Sequence, residues 1–375
     1  MKEVIILMCF QNFKSWINSS EAFKLNSHVP IFDVMNVFAC LAVVILHANE
    51  SFWNFTYDKR WIFSNIIENL FYWAVPVFFM ISGATIIDYR QRYSTKMFFK
   101  KRFQKTFIPF IVWSLIDICL TTMLKLNTID ISGQYTIKEL LNIVFNTSNT
   151  YIYWFFIALF AIYLSIPIIS LIPQEQRKKS YLYMIAFSVL TLSILPLLCT
   201  LTGIQMNPLI ETPISAGYLI YTLLGYCITK YPISKKCRIS LYILGLSGFL
   251  VQLIGTHFLS YKSGTIDQTF KGYLNLPCVL FSVAVFVWFY YNKSLVSNKK
   301  FIKIISFLSG ASFGVYLVHI HIQRILPTFI YIFFKVNIDS FGTQWALYFI
   351  PFIYFASLII VLIIKKIPIL KRIVP

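Results

Sequence analysis

Residues 31–50 read IFDVMNVFACLAVVILHANE. Between Asp33 at one end and Asn49 and Glu50 at the other, only Asn36 and His47 interrupt an apolar run of membrane-crossing length. A spanning helix needs about 20 mostly apolar residues, so this stretch decides the fold. By the same rule, residues 62–87, 103–124, 152–172, 181–202, 214–230, 239–257, 273–291, 304–334 and 344–364 also qualify. Lipid cannot satisfy open backbone groups, and these runs are too long for barrel strands, so helices are expected.

Composition agrees with that reading. Hydrophobic residues make up 58% of the chain and charged residues 13%, and the mean hydropathy is +0.71. Water-soluble domains run near half and a quarter, so this chain has too little polar surface to coat a soluble globule. The expected fold is all-α: a polytopic integral membrane protein of about ten transmembrane helices, with N and C termini cytoplasmic. Residues 1–28 read as an N-terminal cytoplasmic segment and 29–370 as a ten-helix membrane domain. The apolar stretch Val4–Phe10 is short for a signal-peptide core and no A-x-A-like site follows it. Pro76, Pro109, Pro167, Pro196 and Pro277 lie inside spans and predict kinks.

The net charge is +19, yet the basic residues form short clusters between apolar runs. That distribution suits orientation signals at a membrane surface better than a groove following nucleic-acid phosphates. Laid on alternate sides of the spans, only Lys59, Arg60, Lys125, Lys138, Lys262, Lys271 and Lys335 fall on one side. Nearly all the other Lys and Arg fall opposite, which sets both termini in the cytoplasm. The seven cysteines show no CxxC or metal-ligand spacing and read as small core or lipid-facing residues.

Ionisable groups inside spans are expensive, so each is a functional candidate. They are Asp33, His47, Glu68, Asp117, His319, His321 and Arg324. Asp33 and Glu68 lie near span ends and read as interfacial anchors. Asp117 suits either a cation partner or a hydroxyl. Asn36 precedes His47 by about three helical turns, so the two can share a face. Ser312, Tyr316, His319 and Gln323 form one polar stripe. Such a stripe serves either interhelical hydrogen bonding or proton handling. Ser82 and Gly83 end the second segment with small residues, which permit a close helix approach or a ligand entry. The following stretch, Arg90–Lys105, carries Arg90, Arg92, Lys96, Lys100, Lys101, Arg102 and Lys105. It reads as an orientation signal touching anionic lipid, or as a clamp for a phosphate-rich ligand.

Four pieces together resemble the acyltransferase-3 family of membrane O-acyltransferases. They are Phe32–His47 (FDVMNVFACLAVVILH), Val77–Gly83 (VFFMISG), Arg102–Trp113 with its proline, and Phe313–His319 (FGVYLVH). Trp154, Phe155, Tyr163 and Pro167 are similar to a weaker family pattern. The resemblance implies transfer of an acyl group, usually acetyl, from acyl-coenzyme A to a hydroxyl on a cell-surface or lipid-linked carbohydrate. No permanent cofactor is implied, and acetyl-CoA or another acyl-CoA is a co-substrate. His47 matches the family's first-helix histidine and Arg102 its basic residue after the second helix. Where the family pattern has Arg eleven residues before the histidine, this chain has Asn36.

The catalytic candidates are therefore His47, His319 and Tyr316, and the donor-binding candidates Arg102, Lys101, Asn36 and Ser82. His47 would take the acceptor's proton, and Tyr316 or a donor near Ser82 would stabilise the oxyanion. His319 would orient these groups or relay the proton. An acyl-histidine intermediate is the alternative course. From a different class, ten aromatic-rich spans also suit a transporter or flippase for a lipid-linked sugar or polysaccharide, although no internal repeat is visible.

Overall fold

The computed structural model describes residues 29–123, 136–207, 210, 217–338, 342 and 344–375, so the 1–28 segment lies outside the described residues. Those residues form α1 (Pro30–Ala48), α2 (Lys59–Phe71), α3 (Ala74–Ile86), α4 (Thr95–Arg102), α5 (Ile108–Met123), α6 (Ile137–Phe145), α7 (Trp154–Ile169) and α8 (Gln174–Val189). The chain continues through α9 (Leu195–Thr202), α10 (Leu219–Lys230), α11 (Lys235–Ser263), α12 (Leu276–Tyr291), α13 (Lys299–Phe334), α14 (Trp345–Tyr348) and α15 (Ile350–Lys366). Among the described residues there is no strand.

Among the described residues, seven helical stretches are long and apolar enough to cross a membrane. The protein is thus a multi-pass, all-helical membrane protein. The other three apolar segments fall on α10, α12 and α15, which are shorter. At about 1.5 Å per residue, α10 rises only about 18 Å. The segment read there from the sequence begins at residue 214, and residues 211–216 lie outside the described set.

The prolines act where the helix can absorb them. A ring at position i removes one N–H and crowds the carbonyl at i−4. Pro109 and Pro196 each follow a π-helical turn, Phe103–Phe107 and Leu190–Ile194, whose wider winding relieves that clash. Pro76 follows a break at Tyr72 and Trp73, between α2 and α3. Pro277 sits in the first turn of α12, where no N–H is missed.

The described helices group into two compact units. One holds the chain as far as Asp88 together with Ile168–Ser309; the other holds Tyr89–Pro167 and Gly310–Pro375. In the first unit α1 is mostly buried, with Phe38 exposed, Pro30 in its first turn and Asp33 complementing the helix dipole. Its polar residues bind the first part of α13: Ser306 donates to Asp33 Oδ2 at 2.5 Å, and the Asn36 amide donates to Ser309 O and Oγ at 3.1 and 3.0 Å. α3 and α10 touch backbone to backbone. A Cβ on Gly83 would collide with the Thr222 carbonyl, and one on Gly225 with that of Met80. The small residues at the end of the second segment therefore serve close helix packing.

In the second unit, α5, α7 and α13 meet in an aromatic core of Phe110, Phe156, Phe160, Phe313 and Tyr316. Trp113 Nε1 donates to the Ile373 carbonyl at 2.9 Å, which ties the C-terminal turn to α5.

Candidate active site

In the first unit, His47 stands half-buried in the last turn of α1. Leu46, just before it, packs into a buried cluster with Tyr72 and Cys278. Two residues on, Asn49 caps the helix and donates to Ser64 O at 2.9 Å and to Glu68 Oε2 at 3.2 Å. Glu68 Oε1 lies 3.2 Å from Lys271 Nζ, with side-chain exposures of 4% and 0%. The ammonium sits over the rings of Tyr72, Trp53 and Phe52, at 3.8, 4.6 and 4.9 Å from their centroids. Burial pulls the Lys271 ammonium below its ordinary range, and the Glu68 carboxylate works against that pull. Glu68 is therefore no interfacial anchor, and Lys271 is no solvated loop charge. Neither burial was legible without the tertiary fold, because the two are about 200 residues apart in the chain.

Another ionic cluster of this unit holds Asp88. Its Oδ1 accepts from Arg177 Nη1 at 2.6 Å and Tyr226 at 3.2 Å, while Oδ2 lies 2.5 Å from Lys230 Nζ. Arg177 also donates to the carbonyls of Ser170 and Ile172, at 2.7 and 2.8 Å. Arg177 and Lys230 read from the sequence as orientation charges, yet both are buried here as helix-end staples.

In the second unit, His319 is fully buried. Its Nδ1 faces the Val315 carbonyl at 3.1 Å. A carbonyl only accepts, so Nδ1 carries the hydrogen and Nε2 is left as the basic nitrogen. The Tyr316 hydroxyl donates to the Ile152 carbonyl at 2.7 Å. It must leave that partner before it can donate to an oxyanion.

His321 faces away from His319, as an offset of about 200° requires. It meets Asp117 rather than lipid. His321 Nδ1 and Arg324 Nη1 lie 3.0 and 2.5 Å from Asp117 Oδ1. Asn149 Nδ2 donates to Oδ2 at 2.5 Å and Thr150 donates to the same oxygen. The His321 ring stacks on Trp113 at 5.4 Å, and its Nε2 lies 3.2 Å from the Tyr153 hydroxyl. Asp117 thus takes both a cation and a hydroxyl. The charges on α5 and α13 were visible in the sequence; Asn149, Thr150 and Tyr153 gave no signal there.

Arg102 ends α4 within the same unit. Its guanidinium lies over Phe98 and Tyr163, at 5.8 and 5.5 Å from the ring centroids. Its Nε is buried and, among the described residues, has no hydrogen-bond partner. Lys101 Nζ sits 4.0 Å over the Tyr93 ring. Asn36, His47 and Ser82 belong to the first unit, and Lys101, Arg102, Tyr316 and His319 to the second.

Apolar spans that hold ionic clusters and three histidines define a multi-pass membrane protein. The model of the acyltransferase-3 family, described as an acyltransferase domain, matches residues 29–366. The chain belongs to that family and is a membrane acyltransferase for groups other than aminoacyl. The transporter reading gives way to this one. No curated protein and no solved structure matches the chain.

Proposed function

We propose that this enzyme moves an acyl group, acetyl first among candidates, from acyl-coenzyme A to a hydroxyl of a cell-surface or lipid-linked carbohydrate. Its place is a bacterial plasma membrane, with both termini in the cytoplasm. The observation that carries the reading is Arg102: a guanidinium packed beside two aromatic rings, with a buried Nε uncommitted among the described residues. Lys100, Lys101 and Lys105 surround it in sequence. Held cations of this kind suit the phosphates of coenzyme A, and Arg offers the fork geometry for them.

His47, as neutral imidazole, takes the proton of the acceptor hydroxyl while its oxygen attacks the thioester carbonyl. The tetrahedral oxyanion collapses, the C–S bond breaks, and the coenzyme A thiolate leaves and regains a proton from the imidazolium. In the two-step course, His47 attacks first and the acceptor then takes the acyl group from it.

Membranes carrying the protein should transfer label from radiolabelled acetyl-coenzyme A to glycan or glycolipid. Absence of transfer to any envelope fraction would count against the reading. In that assay Arg102→Ala should raise the apparent KM for acyl-coenzyme A by roughly 10–150-fold, because a charge-assisted hydrogen bond contributes about 1.5–3 kcal/mol. Arg102→Lys should recover part of the loss. An unaltered KM in Arg102→Ala removes this residue from the donor site.

Orientation has its own check. A cysteine placed within Arg90–Lys101 should label only after the membrane is permeabilised, whereas one within Asn127–Gly133 should label in intact cells. Labelling of both from one side would refute the topology.

A further inference from the structure

We infer that Lys105 and Lys365 bind one phosphate group between them, supplied by coenzyme A or by a phospholipid headgroup. This deepens the reading of the donor site and rests on it for the first of those sources.

Lys105 lies in the π-helical turn that follows Arg102, and Lys365 in the last turn of α15. Both belong to the second unit. The half-buried Lys365 side chain reaches across to α13, where its ammonium donates to the Gly310 carbonyl at 2.5 Å. An ammonium carries three N–H groups, and among the described residues this is the single acceptor it finds. The charge acting on it is a like one, that of Lys105. Lys105 is exposed, and its side chain makes no hydrogen bond or ion pair with the described residues.

Orientation charges need only stand in water at the membrane surface. Here two ammonium groups from distant parts of the chain come within reach of each other's field, which is unfavourable until an anion joins them. No described side-chain carboxylate of this unit does so. Asp117 is committed to Arg324 and His321, and Glu139 caps α6 through Thr136. The C-terminal turn Leu370–Ile373 packs on the π-helical turn and adds Lys371 and Arg372 to the same end of the unit. A Cβ added to Gly310 would meet no neighbouring side chain or other helix within 4 Å. A ligand therefore has room beside the residue that holds Lys365. Phosphate suits the pair, because a compact anion with several oxygens accepts from two ammonium groups at once.

The test is thermal unfolding of the detergent-purified full chain, titrated with coenzyme A in one arm and with phosphatidylglycerol in the other. Wild type should be stabilised in at least one arm. In that arm Lys105→Gln and Lys365→Gln should each weaken the apparent affinity about tenfold or more. Lys366→Gln removes the same charge one residue on, about 100° around α15, and should leave the affinity unaltered. Without ligand, Lys105→Gln should unfold no earlier than wild type, because it loses a like-charged neighbour and no contact. A merely structural lysine would lower that temperature.

A weakened coenzyme A response assigns the phosphate to the donor, and a weakened phosphatidylglycerol response assigns it to lipid. Either supports the site. Unaltered affinity in both arms, a wild type stabilised in neither, or equal weakening by Lys366→Gln overturns the inference. Failure of the donor reading is separate: wild type would then ignore coenzyme A and transfer no label, while the lipid arm still decides whether the lysines bind phosphate.

Discussion

Membranes carrying His47→Ala are expected to lose acyl transfer by about 10²–10⁴-fold while holding a normal amount of inserted protein. The loss follows from the role of a positioned base, and a larger loss would indicate that the imidazole also carries the acyl group. Insertion should not suffer. Val43, Val44, Ile45 and Leu46 supply the apolar surface of this turn, and a methyl group suits lipid better than an imidazole. His47→Gln separates proton transfer from hydrogen bonding, because an amide can hold a hydroxyl but cannot take its proton near neutral pH. It should be as inactive as the alanine variant. The control on the same helix is Phe38→Leu, at an exposed position that keeps its apolar character. His321→Ala is unsuitable as a control, since His321 is a buried partner of Asp117. Near-normal transfer by His47→Ala would remove this residue from the chemistry.

The helical, membrane-spanning fold was legible in the sequence because apolar run length is a one-dimensional signal. Pro30–Ala48 coincides with the segment read from residue 31 to within two residues. The signal weakened where a helix is short, as at α10, since a dozen residues resemble the interior of many folds. Single polar residues inside spans were also legible, because each stands out against an apolar background. Their partners were not. Glu68 looked like an anchor because its partner, Lys271, lay in a loop whose docking no periodicity encodes. Asn149 and Thr150 are ordinary loop residues until the loop carries them to Asp117. Arg102 sits between these cases. Its place in a basic run showed a charge suited to phosphate, while its packing beside Phe98 and Tyr163 needed the fold.

The largest stability effect should come from Asp117→Ala. Asp117 is fully buried and accepts from or faces Arg324, His321, Asn149 and Thr150. Removing it leaves a guanidinium that is 23% exposed without its carboxylate. Breaking a buried ion pair from one side costs about 3–5 kcal/mol, and partial exposure of Arg324 places this case near the lower end. The neutral contacts contribute much less, since single hydrogen bonds within membrane proteins average about 0.6 kcal/mol. Charge therefore decides the outcome. Thr150→Val, which removes one hydroxyl, should lower the apparent Tm only slightly, whereas Asp117→Ala should lower it severely. Asp117→Asn should fall between them, because it keeps an acceptor but loses the charge. Combining Asp117→Ala with Arg324→Met removes both charges and should recover much of the loss, as buried pairs exchanged for apolar groups often do. The measurement is thermal unfolding of each detergent-solubilised variant, followed by the fraction that remains monodisperse. If Asp117→Ala unfolds together with Thr150→Val, the cluster is a set of independent hydrogen bonds and the ion pair contributes nothing. If the double variant is worse than Asp117→Ala alone, Arg324 stabilises the unit through other contacts, such as its 3.3 Å bond to the Asn149 carbonyl.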